Sequence, residues 1–521
     1  MEINFFTNFK QIDKKGLWAL VVEDGIIREI KNPDKFPVTD NTFSNVYDLK
    51  ENFLLPSFTD AHMHLSLYTL LFSSVDLRKC NSIDELQRKL KDEIDKEVII
   101  GWGFDHEKFR EERMPNRDDL DAISFKIPIF ILRFDEHIGV VNSEFLKRLG
   151  IHKSTKEPEG GKIGRFSNGL PNGILIDNAL PVEKMLNNSR IKNSMLNNFV
   201  EVQKKLLSRG LTSVSDMGIN FHTLDFYREL ESSDILKMRL HIYLNEECLS
   251  EKNRIKKEMQ KNVNSLVKVR GLKLFVDGSF GASSGALYEP YADDPDNTGI
   301  LRIQPERLKK LTRQADELGM QLSIHAIGDK ALTYTIDALT ETRVELLRHR
   351  VEHIQLVNEG HLQSMKNLNI IAAIQPVFVA TDSPWAEKRL GRERVQQSYP
   401  LKSVLKKGIR VAGSSDCPVT EADPFLELYY SVSNKYLNGK EMPYWVQKER
   451  ISLKEAFEIF TENASYALQE NKGRIEEGMI GDFIVLSENP IRVSLNKIPF
   501  MKVGQTYMNG RLVYKNKDSI L

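Results

Sequence analysis

Residues 53–65 read FLLPSFTDAHMHL. A short apolar run, Phe53 to Pro56, leads to Asp60 and then to the pair His62 and His64. In an extended segment residues i and i+2 point the same way, so both imidazoles can reach one ion, and histidine is a common zinc ligand. One such pair is weak evidence by itself. It gains weight because the same arrangement, an apolar run ending in a polar residue, recurs downstream.

The run at Leu272 to Val276 contains Lys273 and ends in Asp277, Gly278 and Ser279. Leu322 to Ile324 ends in His325, and Val351 leads to Glu352 and His353. Ile370 to Ile374 leads to Gln375, and Arg410 to Ala412 leads to Ser414, Ser415 and Asp416. Leu211 to Val214 precedes Asp216, and Arg239 to Leu244 is strand-like. Helical patterns lie between these runs. Leu308, Leu311, Ala315 and Leu318 form one helix face, and Gly319 follows as a stop signal. Ser452 with Glu455 forms a capping-box pattern. Repeated strand–helix units predict a parallel sheet. Counting the run that ends at Asp60, there are close to eight of them. Polar residues at the strand ends fit the active-site face of a (β/α)₈ barrel.

Both ends of the chain differ from this middle. Asp24-Gly25 and Asn509-Gly510 each separate two strand-like runs, which is a hairpin signal. The predicted organisation is a β unit from residues 1–52 and 470–521, around a barrel over 53–469. Residues 80–205 break the rhythm with charged helical segments, Trp102-Gly103 and a glycine-rich piece, and read as an insertion after the first barrel strand.

Lys plus Arg and Asp plus Glu are both 73 in 521 residues, so the net charge is zero. That removes the general basic excess by which nucleic-acid binders displace counterions. At 41% hydrophobic and 28% charged residues the chain is expected to be a globular protein rather than disordered. Three scattered cysteines imply no disulfide framework. No apolar stretch approaches the roughly 20 residues of a membrane span, and no secretory signal opens the chain. The expectation is a cytoplasmic protein without a membrane partner. A homodimer is the general prior for such a chain.

Several segments carry a more specific likeness. The opening stretch resembles the Pro-Gly-Phe-x-Asp-x-His-x-His start of the amidohydrolase superfamily. GLKLFVDGSFGASSG at 271–285, LSIHAIGD at 322–329, HRVEHIQL at 349–356 and GSSDCPV at 413–419 resemble strand motifs of its branch called amidohydrolase family 3. That branch includes N-substituted formamide deformylases. IFILRFDEHIGVVNS at 129–143, WAEKRLGRER at 385–394 and KGRIEEGMIGDFIVL at 472–486 extend the likeness over nearly the whole chain. Two departures stand out. Ser57 follows Pro56 where the family has glycine, and Glu136 stands between Asp135 and His137 where the family has Asp-Gly-His.

The resemblance implies an α/β fold, a distorted (β/α)₈ TIM barrel with a small β-sandwich built from both termini. It implies a divalent metal, zinc by preference, as one or two ions. The ligands would be His62, His64, His325 and His353, with Asp416 beside them. Lys273 stands where relatives carry a lysine that can be carboxylated to bridge two ions.

The residues and the resemblance converge on a metal-dependent hydrolase that cleaves an amide or other C–N bond of a small molecule. Asp416 is the expected catalytic base and acid. His137, Trp102, Asp277 and Ser279 are candidate substrate contacts, and Trp385 is a further candidate wall. The same site would also serve a lactone or ester hydrolase or a deaminase. A binding or regulatory protein on this scaffold is the alternative from another class, and the intact ligand set speaks against it.

Overall fold

The computed structural model describes residues 2–36, 43–158, 160–181 and 192–517. Its centre is a sheet of eight parallel strands. These are β1 (Phe58–Asp60), β2 (Leu211–Ile219), β3 (Arg239–Leu244), β4 (Val267–Phe275), β5 (Gln321–Ala326), β6 (Arg350–His353), β7 (Ile371–Ile374) and β8 (Val411–Gly413). Each strand pairs with the next in chain order. Both faces are covered, so the strands read as near-continuous apolar runs. Closure between β8 and β1 is made by isolated bonds rather than a ladder. Ala61 N–H donates to Gly413 O (3.2 Å), Asp416 N–H to His62 O (2.8 Å) and His64 N–H to Cys417 O (2.7 Å). The seam of this distorted barrel therefore runs through three of the expected site residues.

The predicted helix after residue 304 spans Pro305–Glu317 and buries Leu308, Leu311 and Ala315. Proline opens it, where its missing N–H costs nothing. Gly319, at φ 73°, closes it. Met320 N–H reaches Ala315 O (3.0 Å) and Gly319 N–H reaches Asp316 O (2.9 Å), a Schellman cap. The Ser452–Glu455 capping box is formed as expected. Among the described residues, no helix is long and apolar enough to cross a membrane.

Two four-stranded sheets form the sandwich. One holds Ile3–Phe9, Trp18–Glu23, Ile26–Lys31 and Asn45–Asp48; the other holds Phe53–Pro56, Phe483–Leu486, Gln505–Met508 and Arg511–Lys515. Phe6 stands edge-on to Phe483 and Tyr507 (4.8 and 5.0 Å between centroids) and joins the two sheets. Both glycine turns carry the two successive positive φ angles of a tight hairpin. Ser57 keeps a negative-φ backbone despite replacing the family's glycine. Its hydroxyl lies 2.7 Å from Thr212 Oγ1 and accepts from Lys472 Nζ (3.2 Å), which pins the sandwich to the barrel floor.

The insertion differs from its reading. Besides short helices such as Ile83–Lys91, it carries a six-stranded mixed sheet in the order Gly161–Arg165, Pro171–Asp177, Ile138–Val141, Ile129–Arg133, Ile99–Phe104 and Val75–Asp76. Its strands are short, from two to seven residues, and periodicity over such runs is a weak guide.

One buried histidine outside the site makes stability depend on pH. His349 precedes β6, accepts from Leu322 N–H through Nδ1 (3.0 Å) and turns Nε2 to Asp316 Oδ1 (3.3 Å). Burial pushes its pKa down from 6.5 to about 4, against the pull of Asp316. The folded value lies below the unfolded one, so this contribution is complete above pH 6.5 and is lost as pH falls towards 4. The expected loss is roughly 3 kcal/mol across that window. Denaturant unfolding of wild type and His349→Asn, whose amide oxygen replaces Nδ1, should show a shallower acid slope in the variant. Equal slopes would remove His349 as the cause.

Candidate metal centre

Four histidines meet at the C-terminal rim of the barrel, and each has one ring nitrogen committed elsewhere. His62 Nδ1 lies 2.6 Å from Glu352 Oε2. His64 Nδ1 lies 3.3 Å from the Met217 carbonyl. His325 Nε2 lies 3.1 Å from the Gly278 carbonyl. His353 Nδ1 lies 2.8 Å from Gln375 Oε1, whose own amide nitrogen donates to Ser414 Oγ (2.8 Å). All four partners are acceptors, so each of these ring nitrogens donates. Among the described residues no hydrogen bond reaches the second nitrogen of His64, His325 or His353, while that of His62 faces Lys273 Nζ at 3.4 Å. Burial lowers the pKa of His64, and it pushes His325 and His353 well below the ordinary value, helped by Lys273 beside His325 and by His325 beside His353.

The second nitrogens of His62 and His64 both face Asp416 Oδ1, at 3.2 and 3.4 Å. That oxygen is buried and makes no hydrogen bond of acceptable geometry. Lone pairs aimed at a carboxylate repel one another unless a cation sits among them. The donor set therefore fits a divalent ion. His62, His353 and Asp416 offer ligand atoms all within 4.8 Å of one another. His64 flanks that set, and His325 packs edge-on against His353 with 4.6 Å between centroids. Burial works against charge on Asp416, but positive charge on the side of His62 and His353 outweighs it and holds the carboxyl well below its ordinary range.

Lys273, inward on β4, places Nζ 3.4 Å from His62 Nε2. Burial brings its pKa down to about 8, partly offset by Glu352 and Asp416. Glu352 itself is fixed by Arg350 Nε (2.8 Å) and by Ser323 Oγ (2.7 Å). Burial would raise its carboxyl, yet Arg350 and His62 hold it well below the usual range. The backbone is held off its ordinary basins here too. His353, Ile354 and Asp416 have φ of 71°, 50° and 56°. A β-branched residue in that region is a strained one, and such strain gathers at functional sites.

The centre opens on a cavity of about 610 Å³. His137, Ser279 and Trp385 line it together with His64, Lys273, His325, His353 and Asp416. His137 comes down from the insertion, with its Nδ1 2.5 Å from Asp177 Oδ1. Ser279 Oγ donates to Asp135 Oδ2 (3.0 Å). Trp102 is not on the cavity wall: its ring packs in the insertion under the Arg78 guanidinium (4.8 Å). Asp277 is also not on the wall. It lies fully buried and accepts from Ile327, Gly328 and Ala286 N–H (3.0, 2.8 and 2.9 Å), which ties loops beneath His325.

Sequence reasoning assigned no role to Glu352, Arg350, Gln375 or Asp177. Two opposite charges inside the four-residue strand β6 were the available signal for Arg350 and Glu352. Asp177 is 40 residues from His137, and nothing local marks it.

The amidohydrolase family model matches residues 45–514. The chain belongs to the amidohydrolase family. It is a metal-dependent hydrolase of carbon–nitrogen bonds. This amidohydrolase is 27% identical over 515 residues to the putative amidohydrolase YtcJ of Bacillus subtilis (strain 168), covering 95% of this chain and 96% of that protein. It is 25% identical over 529 residues to the N-substituted formamide deformylase of Arthrobacter pascens, covering 97% and 94%. Among solved structures, an uncharacterized metal-dependent hydrolase from Pyrococcus horikoshii OT3 superposes with a TM-score of 0.79 at 28% identity, over 95% of this chain and 99% of that one.

Proposed function

We propose that this amidohydrolase cleaves small N-substituted formamides or related amides, using zinc held by His62, His64, His325 and His353 with Asp416. The observation that carries the ligand set is the commitment of one nitrogen in each ring to an acceptor, with the second nitrogens of His62 and His64 turned to Asp416. Partners of that kind are what orient metal-bound histidines in general. The substrate class is supported by the likeness to the formamide deformylase. When bound, the ion supplies Lewis acidity, polarising the substrate carbonyl and lowering the pKa of water from 15.7 to about 7.

The chain supplies the rest. Asp416 takes the proton from the attacking water and passes it to the leaving nitrogen, so that the C–N bond breaks to an amine rather than an amide anion. Glu352, clamped by Arg350, fixes the tautomer of His62. His137, braced by Asp177, stands across the cavity from the centre with its ring 5.7 Å from that of His325, placed to donate to the substrate carbonyl or acyl oxygen. Lys273 is proposed to carry a carboxylate gained from carbon dioxide: the amine nitrogen bonds the carbon and loses one proton, giving an anion that would help His62 and Asp416 hold the metal. A pKa of about 8 leaves a sizeable neutral fraction of that amine for the reaction.

The test is a substrate panel of N-alkyl formamides, other carboxamides and lactones. The expected result is release of amine and formate in equal amounts, abolished by chelation and restored by zinc. Turnover of lactones alone would move the reading to ester chemistry, and no turnover with full metal would move it to a binding role.

A further inference from the structure

One charged group on the cavity wall has no part in the chemistry above. Glu136 lines the cavity between Asp135 and His137. Its backbone lies at φ 64°, in the left-handed region that favours glycine over a residue with a β-carbon. Its Oε1 is buried and makes no hydrogen bond. Its charged neighbours Asp135, Asp177 and Arg307 are ion-paired within the protein, and Asp382 is hydrogen-bonded. Asp135 accepts from Arg133 Nη1 (2.6 Å) and Ser279 Oγ (3.0 Å). Asp177 holds His137, with Arg302 Nη1 3.7 Å away, and Arg307 pairs with Glu246 (2.8 Å). Asp382 accepts from Tyr399 Oη (2.7 Å) and Thr381 Oγ1 (2.8 Å).

Among the described residues Glu136 has no cation paired with it. Burial, with repulsion from Asp416 and Asp135, pushes its carboxyl well above the usual carboxylate range. A carboxyl group in such a place costs stability twice, through its backbone and through its missing partner. That cost is recovered if a bound molecule brings the missing positive charge. Phe280, Phe378 and Trp385 complete the wall with apolar surface suited to an alkyl linker.

We infer that Glu136 is a specificity determinant that binds a cationic nitrogen of the substrate, an ammonium or guanidinium a few bonds from the scissile C–N bond. The inference rests on the hydrolytic reading above, and its test has a readout that does not need turnover. The probes are the monoformamide of a short diamine, which keeps one ammonium, and the formamide of a monoamine of equal length. Calorimetry in an Asp416→Asn background reads affinity with turnover slowed, and kcat/KM is measured with Asp416 intact.

The ammonium probe is expected to be favoured by about tenfold or more in both measurements, the scale of one charge-assisted hydrogen bond. The ratio should fall towards unity in both Glu136→Gln and Glu136→Gly. Glycine suits the left-handed backbone, so loss of the preference in that variant is not a folding failure. Equal affinity for the two probes in the Asp416→Asn protein, or a preference that survives both substitutions, overturns the inference. Loss of metal from Glu136→Gln would make the residue a ligand and overturn it as well. An affinity preference without turnover of either probe by the wild type would uphold the role of Glu136 and count against formamide hydrolysis instead.

Discussion

Asp416→Asn is expected to retain most of the bound metal while lowering turnover by about 10²-fold or more, the usual scale of losing a general base. The substitution is unusually clean at this position. Asp416 sits at φ 56°, a conformation asparagine tolerates better than most residues, so the backbone of the seam between β8 and β1 is preserved. The side chain keeps its shape and one oxygen. What it loses is the capacity to take a proton. Single-turnover kinetics with metal analysis on the same sample reads both halves of the expectation. Undiminished turnover at full metal occupancy would remove Asp416 from the proton path.

His62→Ala should lose metal and activity together. His62 is completely buried and stands at the centre of the cluster, with Glu352 on one side and Asp416 and Lys273 on the other. Even partners of a ligand typically contribute 10–100-fold to metal affinity, so removing the ligand should cost at least about 100-fold. A second consequence separates this from a simple cavity. Glu352 would keep Arg350 and Ser323 but lose the imidazole it orients. Glu352→Gln should therefore weaken metal affinity in the same direction by a smaller factor, because the amide still accepts from the His62 ring. Metal-replete, fully active His62→Ala protein would contradict the ligand assignment.

Much of the site was legible because its residues sit at the ends of apolar runs. His325 and His353 stand in the last two residues of short strands, His62, His64 and Asp416 follow just after theirs, and the barrel brings those ends to one rim. Lys273 was legible through motif likeness rather than pattern, and the terminal β unit through its Asp24-Gly25 and Asn509-Gly510 turns. Trp102 shows the limit of reading composition for function. An aromatic residue in a glycine-flanked strand can face either side, and this one packs under Arg78. Asp277 shows another limit, since a turn-like Asp-Gly-Ser segment does not reveal that its carboxylate faces three backbone N–H groups rather than the cavity. The sheet of the insertion escaped because its strands are too short to display a period. The partners that set the tautomers lie far away in sequence, as with Met217 for His64 and Glu352 for His62, and only the fold brings them together.

The central claim is that His62, His64, His325 and His353, with Asp416, hold a divalent ion. It is tested most directly by metal content per chain, in protein purified without chelator or metal-affinity tag. Native-state mass analysis of the peptide around Lys273, in carbonate buffer, belongs with it. The expected result is at least about one ion per chain, zinc foremost, with about two if Lys273 carries its carboxylate. A chain with no metal, and with no activity restored by zinc, manganese or cobalt, would contradict the account.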